Sequence, residues 1–186
     1  LYFNGFETDT YDWSLATRVA SGTGGINSSS GSFHATSPAG SGDFTRWGGY
    51  NYGAGNNVPT VFKDYRTSLD IYLNVGGGAA NNTRFDWNSA INNAAGSHRR
   101  DFVFNGGFYN DTDGSRGSGT SRVIFSAGNN SQRGSAFAKN PGHDPFAISA
   151  SGWYTFEHHF YDNGGVLAVD MTISDAATDA LLHSWT

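Results

Sequence analysis

The stretch 153–161 reads WYTFEHHFY and places a carboxylate, two imidazoles and a phenol within residues 157–161. Side chains of an extended strand leave alternate faces. Trp153, Thr155, Glu157, His159 and Tyr161 therefore share one face, and Tyr154, Phe156, His158 and Phe160 share the other. The second set is the more apolar and reads as a core face, with His158 a buried, neutral, hydrogen-bonded imidazole. Adjacent histidines that diverge in this way do not make a metal clip. The first set gathers an acid, an imidazole, a phenol and an indole, a grouping suited to proton transfer or to polar recognition.

Three chemistries use such residues. Glycoside hydrolysis needs two carboxyls, about 5–5.5 Å apart for retention and farther apart for inversion; Glu157 with Asp101 is the first pair to consider and Asp70 the alternative. Elimination from a uronate needs a base and an acid, here His159 and Tyr161, with Arg99 or Asn105 to neutralise the carboxylate. Binding without catalysis needs aromatic rings against sugar C–H faces and amide, carboxylate or guanidinium groups for the hydroxyls. Asp70, Tyr72, Trp87, Arg99, Asn105, Arg122 and Trp153 are the expected ligand-binding residues, with Asp170 on the same face. Any one of them, taken alone, is as well explained by an ordinary solvated ion pair.

A metal is a separate question. NDTDGS at 110–115 offers Asn110, Asp111 and Asp113 beside a glycine, as oxygen-ligand calcium loops do, but without the distal Glu of an EF-hand. The bland alternative is a polar turn. His34, His98, His143 and His183 have no ligand-like spacing. N-x-S/T sequons at Asn27, Asn81, Asn110 and Asn129 are expected by chance in a chain this rich in Asn and Ser.

Strands must position these residues. The 26 glycines cluster at turns with no collagen-like period, and no segment carries a convincing 3.6-residue apolar repeat. The expected strands are Leu1–Glu7, Thr17–Val19, Gly31–Ala35, Phe44–Trp47, Tyr65–Val75, Arg99–Tyr109, Ser121–Ala127, Phe146–Ser149, Trp153–Tyr161 and Gly165–Ser174, with a weaker run at Ala180–Trp185. In 65–75, Thr67, Leu69, Ile71, Leu73 and Val75 alternate with Ser68, Asp70, Tyr72 and Asn74, the pattern of antiparallel sheets packed on a core. DNGG at 162–165 is a hairpin signal. These features predict an all-β, two-sheet antiparallel sandwich of the jelly-roll kind in a single domain spanning 1–186. Residues 76–97 read as a long loop or insertion that carries Phe85 and Trp87 toward a binding surface.

The series GFETDTYDWS, TRVASGTGGINSSSGSFHA, SLDIYL, HRRDFVFNGGFY and SGWYTFEHHFYDNGGVLAVDMTI resembles bacterial secreted domains of the concanavalin A-like (laminin-G-like) group over most of the chain. The resemblance implies a jelly roll with one concave sheet, in a superfamily dominated by glycan binding and glycan cleavage, and it raises calcium as the one cofactor to expect. It also implies a further closing strand beside the first, whereas this chain stops at LLHSWT. The ExDxxE pattern of jelly-roll glucanases and the RTELR-, QIH- and YFKAG-type patterns of alginate lyases do not occur.

The expectation is thus a secreted or cell-surface bacterial module that binds a polysaccharide on its concave sheet. A lyase or glycosidase using Glu157, His159, Tyr161 and Asp101 is the alternative. A surface-layer or filament subunit, self-associating through an open sheet edge, is the third. The net charge of −5 argues against a nucleic-acid partner. No apolar run reaches the length of a membrane span, and the absence of cysteine removes disulfides and thiolate metal sites. The opening Leu1-Tyr2-Phe3 lacks an initiator Met and fits a removed leader, a protease-tag scar or the start of the first strand.

Overall fold

The structure, a computed structural model, describes residues 3–11, 13–36, 45–46, 64–93, 97–110, 120–129, 138–139 and 141–186. The chain forms two compact units, Leu1–Pro59 and Thr60–Thr186. Among the described residues there is no α-helix, and no helix is long and apolar enough to cross a membrane.

The first unit holds two short antiparallel pairs, β1 (Trp13–Ser14) with β4 (Thr45–Arg46) and β2 (Thr17–Ala20) with β3 (Phe33–Thr36). Side chains tie these ribbons to the segment before them. The Arg18 guanidinium donates to the Phe6 carbonyl at 2.6 Å and to the Glu7 carbonyl, and lies 3.2 Å over the Phe33 ring. Glu7 Oε1 in turn accepts the N–H groups of Ser32 and Phe33 at 2.9 and 3.1 Å. Residues 3–7, expected as a strand, are not one: Phe6 has φ 62°, and its N–H is taken by the Asn4 side chain at 2.7 Å, a local turn that competes with sheet pairing.

The second unit is a sandwich of two four-stranded antiparallel sheets. One, the β10 sheet, runs β12 (Leu181–Trp185), β11 (Val166–Asp175), β10 (Gly152–Asn163), β5 (Tyr65–Leu73); the other, the β7 sheet, runs β6 (Thr83–Asn92), β7 (His98–Tyr109), β8 (Arg122–Asn129), β9 (Phe146–Ile148). The β10–β11 hairpin closes as DNGG predicts. Gly164 and Gly165 take φ 66° and 88°, a region glycine enters without strain, and Asp162 Oδ1 accepts the Gly165 N–H at 2.6 Å.

The expected 76–97 loop is corrected. Residues 83–92 form β6, paired along β7 from Thr83↔Phe108 to Ile91↔Arg100. Phe85, Trp87 and Ile91 pack against the core.

The core lies between the sheets. Phe156 and Phe160 of β10, Ile173 of β11, Phe104 of β7 and Phe125 of β8 are each at most 1% exposed. Their rings meet edge to face, Phe104–Phe156 at 5.3 Å and Phe125–Phe156 at 5.0 Å. Each such phenylalanine contributes roughly 1.5–3 kcal/mol by leaving water. On one side β12 reaches across to β9, where His183 stacks on Phe146 at 4.8 Å. Trp185 Nε1 donates to the Asp144 carbonyl at 2.9 Å.

The sheets differ in their outward faces. On β10 those residues are half-buried. On the β7 sheet Val103, Ser126, Asn105 and Ile124 are all under 8% exposed, so β7 and β8 are buried on both faces.

Candidate functional site

His158 settles the inward half of WYTFEHHFY. It is fully buried, as the alternation predicts. Its Nε2 donates to the Phe102 carbonyl of β7 at 3.0 Å, and its Nδ1 faces Ser89 Oγ of β6 at 3.2 Å. Ser89 Oγ is itself 2.5 Å from Thr67 Oγ1 of β5. A single imidazole thus links four strands across the sandwich. Burial, only partly offset by the Phe102 carbonyl, lowers its pKa from 6.5 to about 4.

The outward half builds a strip along β10. Register sets its width: Trp153 lies beside Tyr72, Thr155 beside Asp70 and His159 beside Arg66 on β5, and His159 lies beside Asp170 on β11. From Trp153 to Tyr161 the strip is ~26 Å long at the ordinary strand rise. At one end the Tyr72 and Trp153 rings meet edge to face at 5.5 Å, and Thr155 Oγ1 donates to Asp70 at 2.7 Å.

Charges are interlocked in the centre. The Arg66 guanidinium pairs with the Glu157 carboxylate and reaches His159 Nδ1 at 3.2 Å. His159 Nε2 faces Asp64 Oδ1 at 2.9 Å. Guanidinium has only donors, so Nδ1 accepts, and the ring proton sits on Nε2 and is donated to Asp64. At the far end the Tyr161 ring lies 5.0 Å from that of His159, and its hydroxyl donates to Asp170 Oδ1 at 3.3 Å. Asp170 Oδ1 also accepts the Thr186 hydroxyl at 2.8 Å. Partial burial, then the charge and acceptor of Asp170, hold the Tyr161 phenol above its usual pKa.

This predicts a measurable tautomer. In ¹⁵N-detected NMR at neutral pH, His159 is expected as the Nε2–H form; Arg66→Ala removes the donor at Nδ1 and should give a mixed population. A wild-type ring protonated on Nδ1 alone would contradict the geometry.

The expected site residues do not all converge. Glu157, His159, Tyr161, Asp70, Tyr72, Trp153 and Asp170 share the strip. Asp101, Asn105 and Arg122 alternate onto the opposite exterior of the sandwich, on the β7 sheet. Asp101 there accepts from His98 Nε2 at 3.0 Å, Arg122 Nη1 donates to the Thr120 carbonyl at 3.2 Å, and Asn105 is 5% exposed. Sandwiched sheets stand about 10 Å apart, so Glu157 and Asp101, on opposite exteriors, meet neither glycosidase spacing. Trp87, expected on a loop, packs on the core side of β6 with its ring 6.3 Å from that of His158. Arg99 lies away from the strip, on a cleft at one end of the sandwich.

Asp111 and Asp113 of the expected calcium loop lie outside the described residues. Asn110 is described, and its N–H donates to Asn81 Oδ1 at 3.1 Å. Among the described residues no three His, Asp or Glu side chains are grouped to hold a metal.

Sequence reasoning missed Arg66 and Asp64. Extending the Ser68–Asp70–Tyr72 alternation back by one step puts Arg66 on the same face, so a signal existed. Asp64 lies one further step back on the same alternation but just before β5, where the strand is not yet formed.

On the strip both His159 nitrogens are engaged, Glu157 is paired with Arg66, and the Tyr161 phenol is held in its protonated form. The arrangement is that of fixed donors and acceptors beside aromatic rings.

No protein-family model matches the chain, and no match was found among curated proteins or solved structures.

Proposed function

We propose that the chain is a secreted, non-catalytic carbohydrate-binding module of the concanavalin A-like, jelly-roll kind. A polysaccharide would lie along the outward strip of the β10 sheet. The observation that carries this is the coexistence on one face of the Tyr72–Trp153 pair and the Glu157–Arg66–His159–Asp64 network. The rings offer apolar surface to sugar C–H faces, and the network presents immobilised polar groups for hydroxyls. Groups already fixed before binding lose little entropy when they engage a ligand. Catalysis is the weaker reading, because the first expected partner of Glu157, Asp101, is on the other exterior, the alternative Asp70 accepts from Thr155, and the expected base is engaged.

Affinity electrophoresis against neutral and acidic polysaccharides tests the proposal. At least one glycan should retard the wild type, and Trp153→Ala should weaken that retention about tenfold, ~1.4 kcal/mol, with an unchanged melting temperature. Failure of every glycan to retard the protein would sink the proposal. Release of new reducing ends or unsaturated uronates, abolished by His159→Ala, would replace it with the enzyme reading.

A further inference from the structure

The β6–β7 ladder is regular to Ile91↔Arg100, and the next pair is Asn92↔His98. One step on β6 thus spans two on β7, which makes Arg99 the extra residue of a β-bulge. Bulges re-aim side chains. In a regular strand Arg99 and Arg100 would leave opposite faces, yet both line a single cleft of about 380 Å³ with Ile91, Phe102 and Leu167. Phe102 and Leu167 come from the inner faces of the two sheets, so the cleft opens between them at the end of the sandwich. That end is where the strip finishes, because Leu167 pairs with Asp162, the residue after Tyr161.

Arg99 is exposed and makes no hydrogen bond or ion pair among the described residues. The adjacent Asp101 carboxylate accepts from His98. In a chain of net charge −5, a bulge that brings two arginines to the lining of one cleft beside Ile91, Phe102 and Leu167 favours an anion borne on a body with an apolar face. Guanidinium matches carboxylate geometry through two parallel N–H···O bonds, and the volume is that of a small-ligand pocket.

We propose that this cleft binds the uronate residue of an acidic glycan, its carboxylate on Arg99 and Arg100 and its ring against Ile91, Phe102 and Leu167. The sugar class rests on the binding-module reading above, and the cleft narrows it to acidic polysaccharides.

The test is methyl NMR of the whole chain titrated with glucuronate, glucose or glucose 6-sulfate. Glucuronate should move the Ile91 and Leu167 methyl signals, glucose should not, and glucose 6-sulfate should bind at least severalfold more weakly. Arg99→Ala and the milder Arg99→Gln should each weaken the glucuronate response about tenfold, with the fold confirmed by an unchanged spectrum elsewhere. Equal responses to glucose or to the sulfate ester, or an undiminished response in both variants, would overturn the uronate site. A glucuronate response at these methyls in a protein that no polysaccharide retards would uphold the cleft and reject the module. Retention of neutral glycans with no methyl response would do the reverse.

Discussion

Replacing His158 by alanine is expected to destabilise the sandwich by about 3–5 kcal/mol, the range for emptying a large buried site and stranding its partners. The imidazole is fully buried. It ties the Phe102 carbonyl on one sheet to the Ser89–Thr67 hydroxyl pair that joins both sheets. Alanine removes the ring from between Phe104, at 4.8 Å, and Phe160, at 6.0 Å. Urea unfolding should show a lower midpoint with an unchanged slope. A loss below 1 kcal/mol would mean that the bridge does little for stability.

The same residue sets an acid limit. The folded-state pKa, lowered to about 4, lies below the ordinary 6.5. Above pH 6.5 neither state holds the proton, and stability is full. Between 6.5 and about 4 the unfolded chain takes up a proton that the folded chain refuses, so stability falls with falling pH. Below about 4 both states are protonated and the loss levels off, at ~3 kcal/mol for a shift of this size. His158→Leu leaves Ser89 and Thr67 to bond each other and abolishes the titration. The wild-type curve minus the leucine curve should therefore drop across this window, and a flat difference would refute the assignment.

The second large effect is at Gly106. It lies on β7 between Phe85 of β6 and Phe125 of β8. The two rings, 5.7 Å apart and nearly perpendicular, close over it. A Cβ would stand 2.8 Å from Phe125 Cε1 and 2.9 Å from Phe85 Cζ. Phe125 is 0% exposed and has nowhere to go. Overpacking of this kind costs about 1–3 kcal/mol, so Gly106→Ala should fall near the upper end and Gly106→Val should exceed it. Phe85 is the less buried ring, so Phe85→Leu should relieve the clash. In a double-mutant cycle the two changes should together destabilise by ~1 kcal/mol less than their sum. Strict additivity would show that the rings do not police this glycine.

The inner and outer sides of individual strands were legible in the sequence. The alternation in 65–75 and 153–161 assigns Leu69, Leu73, Phe156, His158 and Phe160 to the interior, where the structure has them. Alternation says nothing about which sheet a strand joins. Asp101, Asn105 and Arg122 were therefore grouped with Glu157, although they project from the opposite exterior. β6 was hidden differently: Phe85, Trp87 and Ile91 keep the period of two, but Ser89 interrupts it and Gly- and Asn-rich flanks imitate a loop. Ser89 is polar because it serves His158, a reason visible only once the strands are assembled. The apolar runs VFNGG and VIFSA did carry a sign of two-sided burial, and the bulge at Arg99 left no mark at all.

The contrast between the two sheets bears on how this chain can change over time. On the β7 sheet both faces of the central strands are committed to packing, so a substitution there alters the fold before it alters anything else. The outward positions of β10 carry little of that burden. New side chains at Trp153, Thr155 or Glu157 can be tried with the scaffold intact, so the chemistry of this face can vary while the architecture stays constant. Division of labour between a conserving sheet and an exploring one makes such a sandwich adaptable.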